Sequence, residues 1–381
     1  MANKAPPTSN SPTEYDMRYL HLDHPFTLES GEQLDRLTIT YTTHGKLNER
    51  RDNVVWICHA LTANSDPVEW WPGLVGEGEI LNPEQHFIVC ANMLGSCYGS
   101  TGPKDYRPGS GQKYGLDFPL VTTRDMARLH QLLAKYLGIN SIYLGLGGSM
   151  GGQQLLEWAV MAPTLFEYLC PLATNTHHSP WGIAFNEAQR MAMQADETLG
   201  TDSPEAGKKG LEAARAIAML SYRHYRTYED SQSEQDAEKL DNYRASSYQR
   251  YQGKKLWDRF DPASYWVLSR AMDSHHLGRG RASITEALAG IKSKTMVIGI
   301  DTDILFPVAE QSEIAQMIPN ARFEVIPSDF GHDGFLTETK SISLLLRDFL
   351  KGTFNGRRPS PTLRKNAAFK HNLVIPGSEP F

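Results

Sequence analysis

An α/β architecture, a mostly parallel sheet with crossover helices and an inserted helical segment, is predicted by three observations on the 381-residue chain. Short apolar, β-rich runs recur, each followed by a turn and most by a helical pattern. Their near-continuous apolarity is that of strands covered on both faces. Between about residues 175 and 294 the rhythm gives way to long charged and aromatic helical patterns and then resumes, so the insertion interrupts one sheet.

Taken in order, residues 1–15 are polar and rich in Pro, Ser and Asn, and read as a flexible tail with no apolar signal segment. The α/β core is expected over 16–174 and 295–355. It opens with "FTLESGEQLDRLTITYTTHG" (26–45), which reads as a hairpin, followed by the strands "NVVWICH" (53–59) and "HFIVCAN" (86–92). "TTRDMARLHQLLAKYLGI" (122–139) has Thr or Asp for a cap, apolar residues at helical spacing and Gly138 near its end, which predicts a crossover helix. The strands "SIYLGL" (141–146) and "EYLCPLA" (167–173) flank a helix-forming stretch. The insertion, 175–294, holds helical patterns such as "GLEAARAIAMLSYRHYRTY" and "SEQDAEKLDNYRASSYQRY" and reads as a lid. Strands "TMVIGI" (295–300) and "RFEVIP" (322–327) complete the sheet, and 356–381 is a basic, aperiodic tail.

Composition narrows the function. With 40% hydrophobic and 22% charged residues the chain can bury a large core, and a net charge of -6 with pI near 6.1 lacks the basic footprint of a nucleic-acid binder. No stretch reaches the length of a membrane-spanning helix, and a cytoplasmic location with a small-molecule substrate is expected. The four cysteines show no disulfide or zinc spacing. No metal site is expected: the pairs His177-His178 and His275-His276 are adjacent, and no carboxylate or cysteine lies at ligand spacing.

The chemistry concentrates in "GLGGSMGGQQLLEWA" (145–159). Gly147-Gly148-Ser149-Met150-Gly151 has the G-x-S-x-G form of a sharp strand-to-helix turn that lifts a nucleophilic serine clear of the sheet, with an apolar strand before it and a helix after it. A serine hydroxyl needs a histidine base, and the histidine needs a carboxylate to orient it. In this arrangement the partners follow in the order serine, acid, histidine, in loops after later strands. His332, in "SDFGHDGFL" after the last strand, is the expected base. Asp301 and Asp303 both follow "TMVIGI"; Asp303, further into the loop, is favoured, though spacing leaves both open. The expected oxyanion donors are the backbone N–H groups of Met150, after the serine, and Leu61, in the loop after "NVVWI". His59 in that loop is read as a brace.

These residues, with "CHALT", "GSCYGSTGP" (95–103), "HHSPWGIAFNEAQR" (177–190), "FDPASYWVLSRAMDSHHLGRG" (260–280), "DILFP" and "GHDGFL", resemble the homoserine O-acetyltransferases of the α/β-hydrolase superfamily. The likeness runs from about Thr27 to Leu350 and departs from the family pattern at Ala63-Asn64, where a glycine is common. It implies the α/β-hydrolase fold and acetyl transfer from acetyl-CoA to the side-chain hydroxyl of L-homoserine in methionine synthesis, with acetyl-CoA as co-substrate and no cofactor. It implies Ser149 as nucleophile, Asp303 as acid and His332 as base. It also implies Arg223 for the homoserine carboxylate, with Arg226 one turn away as the alternative, and Asp333 for the amino group. A homodimer through the lid helices is implied as well. The competing readings are the same chemistry with succinyl-CoA or serine, a plain esterase or thioesterase, and a non-catalytic binding protein, which would have no use for all three of Ser149, Asp303 and His332.

Overall fold

In the computed structural model of the protein, which describes residues 17–352, one sheet of eight strands positions everything else. The strands are β1 (Arg18–Leu22), β2 (Leu37–His44), β3 (Val54–Cys58), β4 (Phe87–Ala91), β5 (Ile142–Gly148), β6 (Phe166–Leu172), β7 (Lys294–Ile300) and β8 (Arg322–Ile326). Their spatial order is β1-β2-β4-β3-β5-β6-β7-β8. β2 runs antiparallel to both β1 and β4, and every later pairing is parallel.

Of the six apolar runs that become β3 to β8, β3 to β7 are buried on both faces, whereas β8, the opposite edge strand, buries only Ile326. In β3, Val54, Trp56 and Cys58 enter one apolar layer while Val55 and Ile57 enter the other. The hairpin expected over 26–45 forms only in part. Phe26–Thr27 pairs with Gln33–Leu34, but Leu37–His44 pairs with Arg18–Leu22 and β4. β1 escapes the sequence reading because it is an edge strand with one buried residue, Leu20, and so carries no apolar run.

Helix α1 (Thr123–Tyr136) begins at a capping box in which Thr122 and Asp125 satisfy each other's backbone N–H. It ends before Gly138, whose φ of +67° turns the chain into β5. Helix α2 (Met150–Met161) follows β5, and its Trp158 packs edge-on against Trp56 and Phe166.

Between β6 and β7 lie α3 (Pro180–Gln194), α4 (Lys208–Tyr222), α5 (Tyr225–Gln232), α6 (Arg244–Trp257), α7 (Pro262–Asp273) and α8 (Ile284–Ala289). The entry and exit of this insertion are stitched together, His178 N–H to His275 O at 3.0 Å and Leu277 N–H to Thr176 O at 2.9 Å. The helical pattern over 233–251 is realised only from Arg244 onward, because nearly every residue of 233–243 is exposed and no apolar stripe is left to bury. After β7 come α9 (Val308–Met317) and, after β8, α10 (Thr339–Leu350). The tails assigned to 1–15 and 356–381, together with 16 and 353–355 of the expected core, fall outside the described residues.

Candidate active site

β5 ends in Gly147-Gly148, and Ser149 then takes φ +56° and ψ -127° before α2 begins at Met150. A non-glycine residue there stores about 1–3 kcal/mol of backbone strain, held by the packing around it. That packing explains the glycines. A Cβ on Gly147 would lie 2.5 Å from Gly151 O, and one on Gly151 would lie 2.1 Å from Cys58 O. Thr174 Oγ1 donates to Ser149 O at 2.8 Å from the end of β6, fixing the turn from its other side.

The remaining reactive groups arrive from the carboxyl ends of β7 and β8. The Ser149 hydroxyl lies 2.9 Å from His332 Nε2, and His332 Nδ1 lies 2.6 Å from Asp303 Oδ2. Asp303 Oδ1 accepts from the N–H groups of Leu305 and Phe306 at 2.8 and 2.9 Å, so both carboxylate oxygens are committed. Asp301 does something else: Oδ1 accepts from Ser328 N–H at 2.9 Å, bracing the β7 loop against the β8 loop. Ser149, Asp303 and His332 are all buried. Phe306 stacks on the imidazole at 5.0 Å between centroids, with Phe335 at 5.2 Å and Tyr222 at 5.8 Å. These rings, which spacing did not single out, shield the hydrogen bonds from water.

Met150 is the first residue of α2, so its N–H is one of the donors a helix start leaves without an intrahelical partner. The loop carrying Leu61 follows β3, which pairs with β5 in register Cys58 to Gly147. His59 braces that loop, with Nδ1 at 2.9 Å from Ala60 O and Nε2 accepting from Met93 N–H at 3.2 Å. Burial pushes its imidazole down to about 4, so it is a neutral strut. The missing family glycine is accounted for: Ala63 N–H closes a turn on Ala60 O at 3.0 Å, and no residue from 59 to 64 has positive φ. Asn64 Oδ1 accepts from Asp66 N–H at 2.9 Å. Arg259 reaches over from the insertion to Thr62 O and, at 3.1 Å, to Tyr98 Oη, a contact no motif announces.

Arg223 ends α4, and its Nε sits 2.9 Å from Asp333 Oδ2, beside His332. The charges are in contact, but the N–H points off the line, and Nε is left without a hydrogen bond. Arg226 instead pairs with Asp329 at 3.2 Å on the surface. The insertion is seated on the histidine loop at this point: Gly331, at φ +64°, lets the loop pass so close that a Cβ would meet His224 N at 2.8 Å.

The remaining histidines of the motifs are structural neighbours of this site. His275 is buried, with Nδ1 at 2.8 Å from Thr123 Oγ1 and Nε2 at 3.2 Å from Asn175 O. His178 is buried against Asn186 at 3.2 Å, and burial pushes it down to about 4. Cys58, Cys90 and Cys170 are buried free thiols; Cys97 is half-buried, and burial raises its thiol to about 11.

A profile of the alpha/beta hydrolase fold matches residues 53–339. A homoserine O-acetyltransferase from Cyclobacterium marinum is 48% identical over 336 residues, covering 88% of this chain and 95% of that protein. Among solved structures, a homoserine O-acetyltransferase from Bacillus anthracis superposes with a TM-score of 0.81 at 24% identity, covering 91% of this chain and 98% of the other. Esterase E22 superposes with a TM-score of 0.80 at 22% identity, covering 88% and 99%. At these identities the two superpositions speak to the fold alone, and one scaffold serves both a transferase and an esterase.

Proposed function

Because the chain belongs to the homoserine O-acetyltransferases, on the alpha/beta hydrolase fold, we propose that Ser149, Asp303 and His332 carry its reaction through an acetyl-serine intermediate. The reaction itself is transfer of the acetyl group of acetyl-CoA to the side-chain hydroxyl of L-homoserine. The observation that carries the residue roles is the continuous line from Ser149 Oγ to His332 at 2.9 Å and from His332 to Asp303 at 2.6 Å.

In the first step His332 Nε2 takes the Ser149 proton as Oγ attacks the thioester carbon, and the oxyanion is held by the N–H groups of Leu61 and Met150. The C–S bond then breaks, and CoA leaves with the proton from His332. In the second step His332 takes the proton of the homoserine hydroxyl, whose oxygen attacks the acetyl ester, and Ser149 Oγ leaves and regains its proton. Atoms balance without a cofactor, acetyl-CoA being a substrate.

Arg223 is assigned the homoserine carboxylate and Asp333 its ammonium. Their contact at 2.9 Å supports this, since a zwitterion brings the same two charges and can exchange one ion pair for two. Water is the rival acceptor, and the lid is assigned the task of excluding it, with Tyr222 and Arg223 at its contact with the histidine loop. A homodimer through the lid is supported by exposed Met191, Leu220, Tyr225 and Tyr251 on lid helices; a monomer in sedimentation would reject it. A cytoplasmic location is proposed on the use of acetyl-CoA. Among the described residues no helix is long and apolar enough to cross a membrane.

The test is CoA release with acetyl-CoA or succinyl-CoA against homoserine, serine and water. Release that requires acetyl-CoA and homoserine and vanishes in Ser149→Ala is the expected result. Equal release with water alone, or activity in the variant, rejects the assignment.

A further inference from the structure

Glu310 stands behind the triad and takes no part in the steps above. It lies in the first turn of α9, and its carboxylate accepts from Asn175 Nδ2 at 3.0 Å. Asn175 Oδ1 in turn accepts from Gln153 Nε2 at 2.9 Å, and Gln153 donates its N–H to Ser149 O. A second chain starts one residue on. Gln311 Nε2 donates to Thr174 O at 2.6 Å, and Thr174 Oγ1 donates to Ser149 O. Adjacent side chains of one helix therefore reach the serine turn through buried polar groups.

The same carboxyl also faces the acid of the triad. Glu310 and Asp303 line one solvent-open cavity of about 470 Å³, with Ser179, Trp181 and Ile304. Ser179 and Asn175 hydrogen-bond to Glu310, while Asp303 and, from its own helix, Glu313 oppose its charge. Burial first, then these two anions, push its carboxyl up to about 7.

We propose that Glu310 is a positioning residue that steadies the serine turn through Asn175 and Gln153 and whose charge, acting through Asp303, shapes the acid limb of the enzyme's pH profile. This rests on the triad reading above. An anion behind Asp303 favours imidazolium over imidazole, so losing the Glu310 proton makes His332 hold its own more firmly. Two such ionisations belong to the pair, and the limb they produce is shallower than that of one proton.

The experiment is kcat/KM for acetyl-CoA, read as CoA release with homoserine present, from about pH 5 to about pH 9, in the wild type, Glu310→Gln, Glu310→Ala and Ser149→Ala. The amide keeps an acceptor for Asn175 but no charge. Its limb should steepen to a one-proton slope and move to lower pH, raising activity at about pH 6 by about twofold relative to the plateau. Alanine should move the limb the same way and also lower the plateau several-fold. A glutamine limb that matches the wild type, or a lowered plateau with an unmoved limb, overturns the proposal. The wild-type slope is a readout that needs no variant: a full one-proton limb also overturns it. Activity in Ser149→Ala overturns the triad reading instead.

Discussion

Asp303 and Asp301 are separated by one residue, yet they hold different things. Asp303→Asn cannot hold the Nδ1–H form of His332 in place, and kcat should fall by about 10³- to 10⁴-fold with KM little changed. Asp301→Ala removes one hydrogen bond between two loops, worth about 1 kcal/mol of stability, and should leave most of the turnover. Steady-state kinetics on the two variants separates the roles, and equal losses would reject the division. The glycine-framed turn at Ser149 was legible because it depends on local backbone geometry that only certain residues accept, and His332 was a candidate because it lies in the loop after the last strand. The choice between two aspartates was not, because it depends on where the loop over 301–307, between β7 and α9, points. Tyr222, Arg259 and Glu310 were missed for a similar reason: each reaches the neighbourhood of the site across a large sequence gap, with no pattern of its own.

The strands and helices divide along the same line. β3 to β7 could be read because burial on both faces demands apolar residues throughout; β8, an edge strand that buries only Ile326, was legible from its β-rich run alone. β1 could not, having one buried side chain and a partner supplied by the fold. The insertion's α4 and α5 bracket the segment that meets the histidine loop, and there the two arginines part company. Arg223 touches Asp333, whereas Arg226 is on the surface with Asp329. Arg223→Ala should raise KM for homoserine by about tenfold or more, the scale of a lost charge partner, while Arg226→Ala, a surface pair worth about 0–1 kcal/mol, should leave it nearly unchanged. Titration of homoserine at saturating acetyl-CoA decides this; the reverse ranking would assign the carboxylate to Arg226.

The insertion is anchored to the core by ions as well as by packing. Glu29, from the small hairpin, meets Arg124 of α1 at 2.5 Å and Arg279, in the last stretch of the insertion, at 2.9 Å; Glu157 of α2 meets Arg281 at 2.5 Å. Burial alone would raise the Glu29 carboxyl, but hydrogen bonds from Arg279 and Thr122 and the charges of Arg124 and Arg279 outweigh it and hold it below its ordinary 4.5. A depressed carboxyl stabilises the fold above that ordinary value and loses the effect as pH falls through its folded value. Glu29→Gln should therefore lower the melting temperature at neutral pH and narrow its gap to the wild type under acid; a gap that widens on acidification would contradict this. Periodicity, turn chemistry and the G-x-S-x-G frame were enough to specify the class of fold and to bring Ser149 and His332 forward as candidates, because strand patterns and the serine turn are set by residues close together in the chain. The pairing of β1, the partner of each aspartate, the meeting of Arg223 with Asp333 and the support of the serine turn from α9 were settled only by folding, because each is a contact between segments whose separation in sequence carries no information about their distance in space.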